Sequence, residues 1–284
     1  MFYLIAGFIC SALVSIVLKI SDRKEYDRYG MLAVNYLTCL IPFLISQRNK
    51  SFPSFDSDFI FCLLLALING AMYLTGMAIN QMNVKRNGAV LQASFARLGV
   101  MVPTCLAIVF FGERPSLLQA GGIIVVLAAF CIMNIRKKNE DEKSAKTKPA
   151  FFLLLMGLLF GGLADSMLKV FEEFGSASLD EWFMGLTFIS AAIMCIIMTV
   201  AGKGKIGKAE ILTGMCLGIP NYLSSLFLLK SLSSVSAYIA YPTYSVGAIL
   251  VVIAASTLFF HEKLSAYSRI SVLMIIAAIV MLNV

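Results

Sequence analysis

The sequence predicts an all-α integral membrane protein: ten transmembrane helices arranged as two inverted five-helix repeats. Three observations carry that expectation. Of 284 residues, 60% are hydrophobic and only 14% charged, and the mean hydropathy is +0.88. A soluble domain is nearer half apolar and a quarter charged, and a single water-soluble core does not grow fast enough with length to hide the excess. Ten stretches are long and apolar enough to span a bilayer, which takes about 20 residues each. Finally, one phrase occurs twice: Phe110–Ser116 reads FFGERPS and Phe259–Ser265 reads FFHEKLS, each at the end of an apolar run.

The first stretch, residues 1–20, is apolar from its first residue. It lacks the basic n-region and small-residue cleavage site of a secretory signal, so it reads as a retained span. The next four run over 30–46, 57–80, 88–111 and 117–135. The second half supplies 150–171, 181–201, 209–230, 236–260 and 266–283. Between the halves lies RKKNEDEKSAKTKP, residues 136–149, a charged run that water solvates better than any core. The division that follows is a first repeat over 1–138, a linker over 139–149 and a second repeat over 150–284.

The repeat rests on a constant offset. Glu113 and Glu262 are 149 positions apart. The same shift lays Tyr73-Leu74 on Tyr222-Leu223, Val102 on Val251, Ala128-Ala129 on Ala277-Ala278 and Asn134 on Asn283. Further forward, Lys19 faces Lys169 at a shift of 150. Self-similarity at a fixed period marks a repeated unit. Five helices is an odd number, so the second unit enters the membrane from the opposite face. Two related units in inverted orientation are a recurring architecture of secondary transporters: the halves can exchange conformations, so that a passage between them opens to each side in turn.

Composition also excludes classes. The formal charge of +7 resides in short loops between apolar runs, where membrane proteins keep Lys and Arg, and is no nucleic-acid signature. The seven cysteines form no C-x-x-C pair and lie almost entirely in apolar runs, as small core side chains do. GKGKIGKA, residues 202–209, nearly spells a phosphate-binding loop but lacks the closing Ser/Thr and follows a span rather than a strand. No metal or cofactor is implied.

Polar groups inside spans point to function, because each charge costs at least about 2.5–3.5 kcal/mol at mid-depth. Arg97 stands near the centre of the fourth stretch and cannot neutralise itself. It either binds an anionic group of a solute or sits in a structural ion pair. Asp165, in the sixth stretch, is a candidate coupling carboxylate for protons, a partner for Arg97, or a plain helix neighbour of Lys169. Lys19, Lys169 and Lys230 lie near helix ends, from which they can snorkel to the headgroups. A softer polar set is expected to line a cavity, with Asn35, Tyr73, Gln92, Tyr222 and Tyr241 as candidate solute contacts beside Thr38, Asn69, Ser94, Asn221, Ser225, Tyr238 and Tyr244. Pro242 and Pro103 can each disturb their helix. Gly157–Gly161 and Gly214–Gly218 are G-x-x-x-G pairs suited to close helix approach. His261 titrates near neutrality but reads as a solvated loop residue. In the repeated phrase, Ser116 and Ser265 stand as N-caps of the following helices, and Glu113 and Glu262 fall near those helices' N-termini, where negative charge is favoured.

A five-helix repeat whose fourth helix ends in aromatic-Gly-Glu-Arg-X-Ser resembles the EamA-type members of the drug/metabolite transporter superfamily. FFGERPSLLQAGGIIVVLA matches that pattern closely; FFHEKLSAYSRISVLMIIAAIV departs from it at His261, where glycine is usual. The resemblance implies ten helices, a central cavity between the halves, and carriage of small metabolites such as amino acids or related amphipathic solutes, often outward. The expected partners are a small-molecule substrate, the lipid bilayer and, with Asp165 as its carrier, a coupling proton, in a monomer or homodimer resident in the plasma membrane (the inner membrane of a bacterium). The rival classes are an integral membrane enzyme and a non-transporting sensor or assembly subunit. Loop charges place the odd-numbered connections in the cytoplasm and both termini outside, whereas the resemblance places both termini inside; the two disagree.

Overall fold

The structure is a computed structural model. It describes residues 1–21, 27–87, 92, 95, 96, 98–141, 150–202, 204, 206–259 and 266–283. Among these the fold is all-helical: α1 (Phe2–Ser21), α2 (Arg28–Gln47), α3 (Ser57–Asn87), α4 (Met101–Val109), α5 (Leu117–Asp141), α6 (Phe151–Phe174), α7 (Asp180–Ala201, entered through a single 3-10 turn at Ala177–Leu179), α8 (Lys208–Leu232), α9 (Ala237–Phe259) and α10 (Ala266–Asn283). Six of the described helical segments are long and apolar enough to cross a membrane: Arg28–Gln47, Ser57–Val84, Phe151–Phe174, Ala177–Ala201, Lys208–Leu232 and Ala237–Phe259. The chain is a multi-pass membrane protein.

Helix starts follow from local chemistry. Asp27 caps α2, its Oδ1 accepting the Gly30 N–H at 3.0 Å. At α8 the Glu210 carboxylate accepts the N–H of Gly207 at 2.9 Å and, with its other oxygen, the N–H of Asp27 at 3.0 Å, so one side chain ties the starts of α8 and α2. Asp56 accepts the Phe59 N–H at 2.9 Å and the Ser54 hydroxyl at 2.7 Å at the start of α3. These bonds to the charged form hold the Asp56 carboxyl below its ordinary value.

Three elements differ from the sequence expectation. α3 runs on to Asn87 and α5 to Asp141, past the apolar stretches that suggested ends at 80 and 135. Lipid sets a minimum span, not a helix end, and Lys, Arg and Glu are good helix formers. The fourth stretch is not one helix. Tight i to i+3 bonds, from the Gly99 N–H to Ala96 O and from the Val102 N–H to Gly99 O, make a turn before α4 begins at Met101. Pro103 explains the restart: proline is tolerated in the first turn of a helix and not in its interior. Pro242, by contrast, leaves α9 continuous.

The chain divides into two compact units, residues 1–74 with 167–234, and residues 75–166 with 235–284. In the first, α2 packs on α8 and α7, and α1 on α8. Its outer positions, such as Leu44, Ile45, Ile197, Val200 and Leu212, are exposed aliphatics, as suits a surface that faces lipid. In the second, α10 packs on α5, and α9 on α4, α5 and α10. Its core interleaves Ile123, Val126, Ala129 and Phe130 of α5 with Val246 and Ile249 of α9 and Ile275, Ala278 and Leu282 of α10. Gly122 allows that contact: a Cβ there would meet Leu282 Cγ at 3.1 Å and Ala278 O at 3.3 Å.

Candidate functional site

In the first unit, glycines bring four helices together. A Cβ at Gly70 of α3 would fall 2.6 Å from Ser190 Cβ and 3.0 Å from the Ala191 N on α7. On α8, Gly214 and Gly218 face α2, where a Cβ would meet Met31 O at 2.7 Å and Asn35 O at 2.8 Å respectively. The expected role of Gly214–Gly218 in close approach is thus visible atom by atom. Of the other pair, a Cβ at Gly157 would meet Asn83 Nδ2 at 2.8 Å, whereas one at Gly161 would meet nothing within 4 Å; the close approach is at Gly162 instead, where a Cβ would fall 2.5 Å from Gly99 O and Val102 Cβ.

Aromatic rings fill this part of the first unit. Tyr36 stacks on Phe188 with centroids 5.8 Å apart and an interplanar angle of 26°. Tyr73 meets Tyr36 edge-on at 6.4 Å and Phe188 at 6.3 Å, and Tyr222 lies 5.9 Å from Phe188.

Polar groups stand one helical turn from these contacts: Asn69 precedes Tyr73 by four on α3, Thr187 precedes Ser190 and Ala191, which face Gly70, by three and four on α7, and Asn35, whose carbonyl faces Gly218, lies opposite the turn of α8 that ends at Tyr222. Asn69 and Thr187 are 0% exposed, Asn35 3% and Tyr222 1%. Asn35 Oδ1, both amide atoms of Asn69, Thr187 Oγ1 and the Tyr222 hydroxyl make no hydrogen bond. The Ser46 hydroxyl, by contrast, is committed to Phe43 O at 2.8 Å. Most buried polar atoms in folded proteins are paired, and leaving one unpaired costs about 1–3 kcal/mol. Other polar neighbours are occupied: Thr38 Oγ1 donates to Val34 O at 2.8 Å and Cys39 Sγ to Gly218 O at 3.2 Å.

The charged side chains of this unit gather near helix ends. Glu181 accepts from Lys50 at 2.6 Å and Gln47 at 2.8 Å and pairs with Lys230 at 3.5 Å. Beside it Trp182 packs on Phe43, Phe52 and Phe59, with centroids 5.2, 4.8 and 5.9 Å away. Lys169 is buried and pairs with Glu172 at 2.6 Å and Glu173 at 3.0 Å, so acidic neighbours rather than headgroups hold its charge.

The second unit explains the repeated phrase in its first copy. Gly112 takes φ +68°, a conformation that favours glycine, at the turn after α4. Ser116 caps α5 as expected: its Oγ accepts the Gln119 N–H at 3.2 Å, while Gln119 Oε1 accepts the Ser116 N–H at 2.9 Å. Glu113 caps a different helix from the one expected. Its carboxylate accepts the N–H groups of Ala237 and Tyr238, at 3.0 and 3.1 Å, in the first turn of α9. The Tyr238 hydroxyl donates to Gln119 Oε1 at 3.1 Å, so the phrase and the first turn of α5 that follows it both hold α9. Short-range spacing suggested the next helix; the tertiary fold supplies one 124 residues away. The second copy, with His261, Glu262 and Ser265, lies outside the described residues.

Of the residues singled out in the sequence, Asn35, Tyr73 and Tyr222 lie in the first unit, within a polar–aromatic layer defined by the ring contacts of Tyr36, Tyr73, Phe188 and Tyr222 and the buried unpaired polar atoms of α2, α3, α7 and α8. Tyr241 and Asp165 meet in the second, where the Tyr241 hydroxyl donates to the Asp165 backbone carbonyl at 2.9 Å and the Asp165 side chain is half-buried. Gln92 is half-buried in the second unit, ahead of the break at Gly99. Arg97 lies outside the described residues. Sequence reasoning missed Tyr36, Thr187 and Phe188. One signal was available for Thr187: the offset of 149 lays it on Thr38, which was named.

Comparison with known proteins sharpens this picture. Residues 1–135 match the model of the EamA-like transporter family, as the repeated phrase suggested. An uncharacterized protein of Haemophilus influenzae is 24% identical over 97% of this chain and 95% of its own. A solved crystal structure superposes with a TM-score of 0.78 at 10% identity, covering 100% of this chain and 99% of the other, which shows a common fold.

Proposed function

We propose that this chain, whose residues 1–135 are EamA-like, is a secondary active transporter that moves a small polar or amphipathic metabolite across the plasma membrane by alternating access, in the outward direction. The proposed working parts are two inverted five-helix repeats, 1–138 and 150–284, joined by the linker 139–149.

The observation that carries this reading is the pairing of counterpart helices. At three of the five positions, helices that correspond in the two halves lie against each other: α2 on α7, α4 on α9 and α5 on α10. Two units related by a twofold axis in the membrane plane would place their counterparts in this way. The family match supports the same division, because it ends close to the boundary of the first repeat.

In this reading Asn35, Tyr73 and Tyr222 contact the solute, together with Gln92 and Tyr241. Arg97 would receive an anionic group, and Asp165 would carry the coupling proton. Neutral amides, hydroxyls and aromatic faces suit a small amphipathic solute, and helices that move apart would expose polar atoms that are unpaired when packed.

Sidedness of access tests the proposal. With the seven native cysteines replaced, a cysteine introduced for Tyr73 should react with a membrane-impermeant maleimide from either side of the membrane, and solute should change the two rates in opposite directions. Reaction from one side only, insensitive to any solute, would contradict alternating access.

A further inference from the structure

We infer that the polar–aromatic layer of the first unit recognises its solute through an uncharged edge that carries a hydrogen-bond donor beside an acceptor, as in a primary carboxamide or a lactam. This deepens the carrier reading and rests on it.

Asn69 is the centre of the argument. Both its amide nitrogen and its amide oxygen are unpaired at 0% exposure. A carboxamide presents donor and acceptor side by side in one plane, so its complement is a second such edge. In the same unit Asn35 Oδ1, an acceptor, and Thr187 Oγ1, able to donate or accept, are likewise buried and unpaired. None of these groups is charged. The described ion pairs of the unit, Glu181 with Lys50 and Lys230 and Lys169 with Glu172 and Glu173, commit their charges to one another. A carboxylate or ammonium brought into the layer would lose its hydration without gaining a counter-charge, whereas an amide exchanges its water bonds for protein bonds. A site built to bond a polar group rejects the analogue that cannot return the bond, because its own buried atoms stay unpaired. The rings of Tyr36, Tyr73 and Phe188 offer apolar faces for the rest of a small solute.

The packing also says when binding happens. With Asn69, Thr187 and Phe188 all at 0% exposure, the helices must separate before a solute enters. The edge is therefore bound in a conformation more open than this one, and the solute favours that conformation by its differential affinity.

The experiment uses the full-length protein in proteoliposomes and compares counterflow of two matched pairs, nicotinamide against nicotinate and glutamine against glutamate. The expected result is exchange of at least one amide at least tenfold faster than its acid. Thr187→Val and Asn69→Leu should each cut that exchange at least fivefold while the thermal unfolding midpoint stays level or rises, since each removes unpaired buried atoms. Asn69→Asp keeps the shape and should also lose amide exchange. Exchange of an acid as fast as its amide, amide exchange unchanged in folded Asn69→Leu and Thr187→Val, or no exchange of either amide would each overturn the inference. Saturable exchange of other solutes in that last case would leave the carrier reading standing; its absence across amino acids, nucleosides, sugars and amines would remove both.

Discussion

Tyr73 and Tyr222, 149 positions apart in the chain, lie against one ring: their centroids are 6.3 and 5.9 Å from that of Phe188. Residues matched only by a repeat in the sequence thus share a neighbour in space. Tyr222→Phe removes an unpaired hydroxyl and keeps the ring contact. It should leave the thermal unfolding midpoint unchanged or raise it, by the equivalent of about 0–1 kcal/mol, while slowing solute exchange. A fall above about 2 kcal/mol would mean that the hydroxyl has a structural partner.

Glu113 should matter as a cap. Glu113→Ala leaves two N–H groups of the first turn of α9 without their acceptor. The expected loss is about 1–2 kcal/mol, seen as a lower unfolding midpoint in detergent. Glu113→Gln retains an acceptor oxygen and should lose less. Equal midpoints for the alanine variant and the parent would show that water replaces the bonds at no cost.

Gly70 tests the close approach of α3 and α7. A Cβ at 2.6 Å from Ser190 Cβ and 3.0 Å from the Ala191 N leaves no room without movement of backbone. Gly70→Val should destabilise by about 1–3 kcal/mol, as overpacking does. The measurement is Trp182 fluorescence during unfolding, because Trp182 is the single tryptophan and sits in the same unit. No change on substitution would mean that the two helices are not held at this distance.

Asp56 gives a pH dependence with a definite sign. Its folded carboxyl lies below its ordinary value, chiefly through the Phe59 N–H and then the Ser54 hydroxyl. A depressed value means that the stabilisation is full above the unfolded-state value and is lost as pH falls through the folded one. The stability difference between the parent and Asp56→Asn should be constant above about pH 5 and shrink below about pH 4. A difference that grows on acidification would have the wrong sign.

Much of this was legible in the sequence because lipid imposes long apolar runs, and because a repeated phrase fixes a register. Nine of the ten expected stretches each contain one continuous helix. The fourth is broken because the bonds made by Gly99 and Val102 and the restart before Pro103 depend on fine backbone geometry, which hydropathy does not register. Members of the candidate site stand out in the sequence where a polar type is rare in an apolar run, as Asn35 and Tyr222 do. Thr187 and Phe188 were hidden, since a threonine beside a phenylalanine is ordinary in a membrane helix, and only the contacts of α7 with α2 and α8 give them a role. The destination of Glu113 was hidden for the same reason: its partner helix begins at Ala237, and no local spacing encodes that distance.

The most direct test of the carrier account is trans-stimulation. Purified protein in sealed proteoliposomes should admit a labelled small polar solute saturably, and faster when the same solute, unlabelled, is already inside. A carrier that binds on one side and releases on the other requires both behaviours. Uptake that rises linearly with concentration and ignores the internal solute would contradict alternating access, and a folded, reconstituted protein that moves no member of a broad solute panel would contradict transport itself.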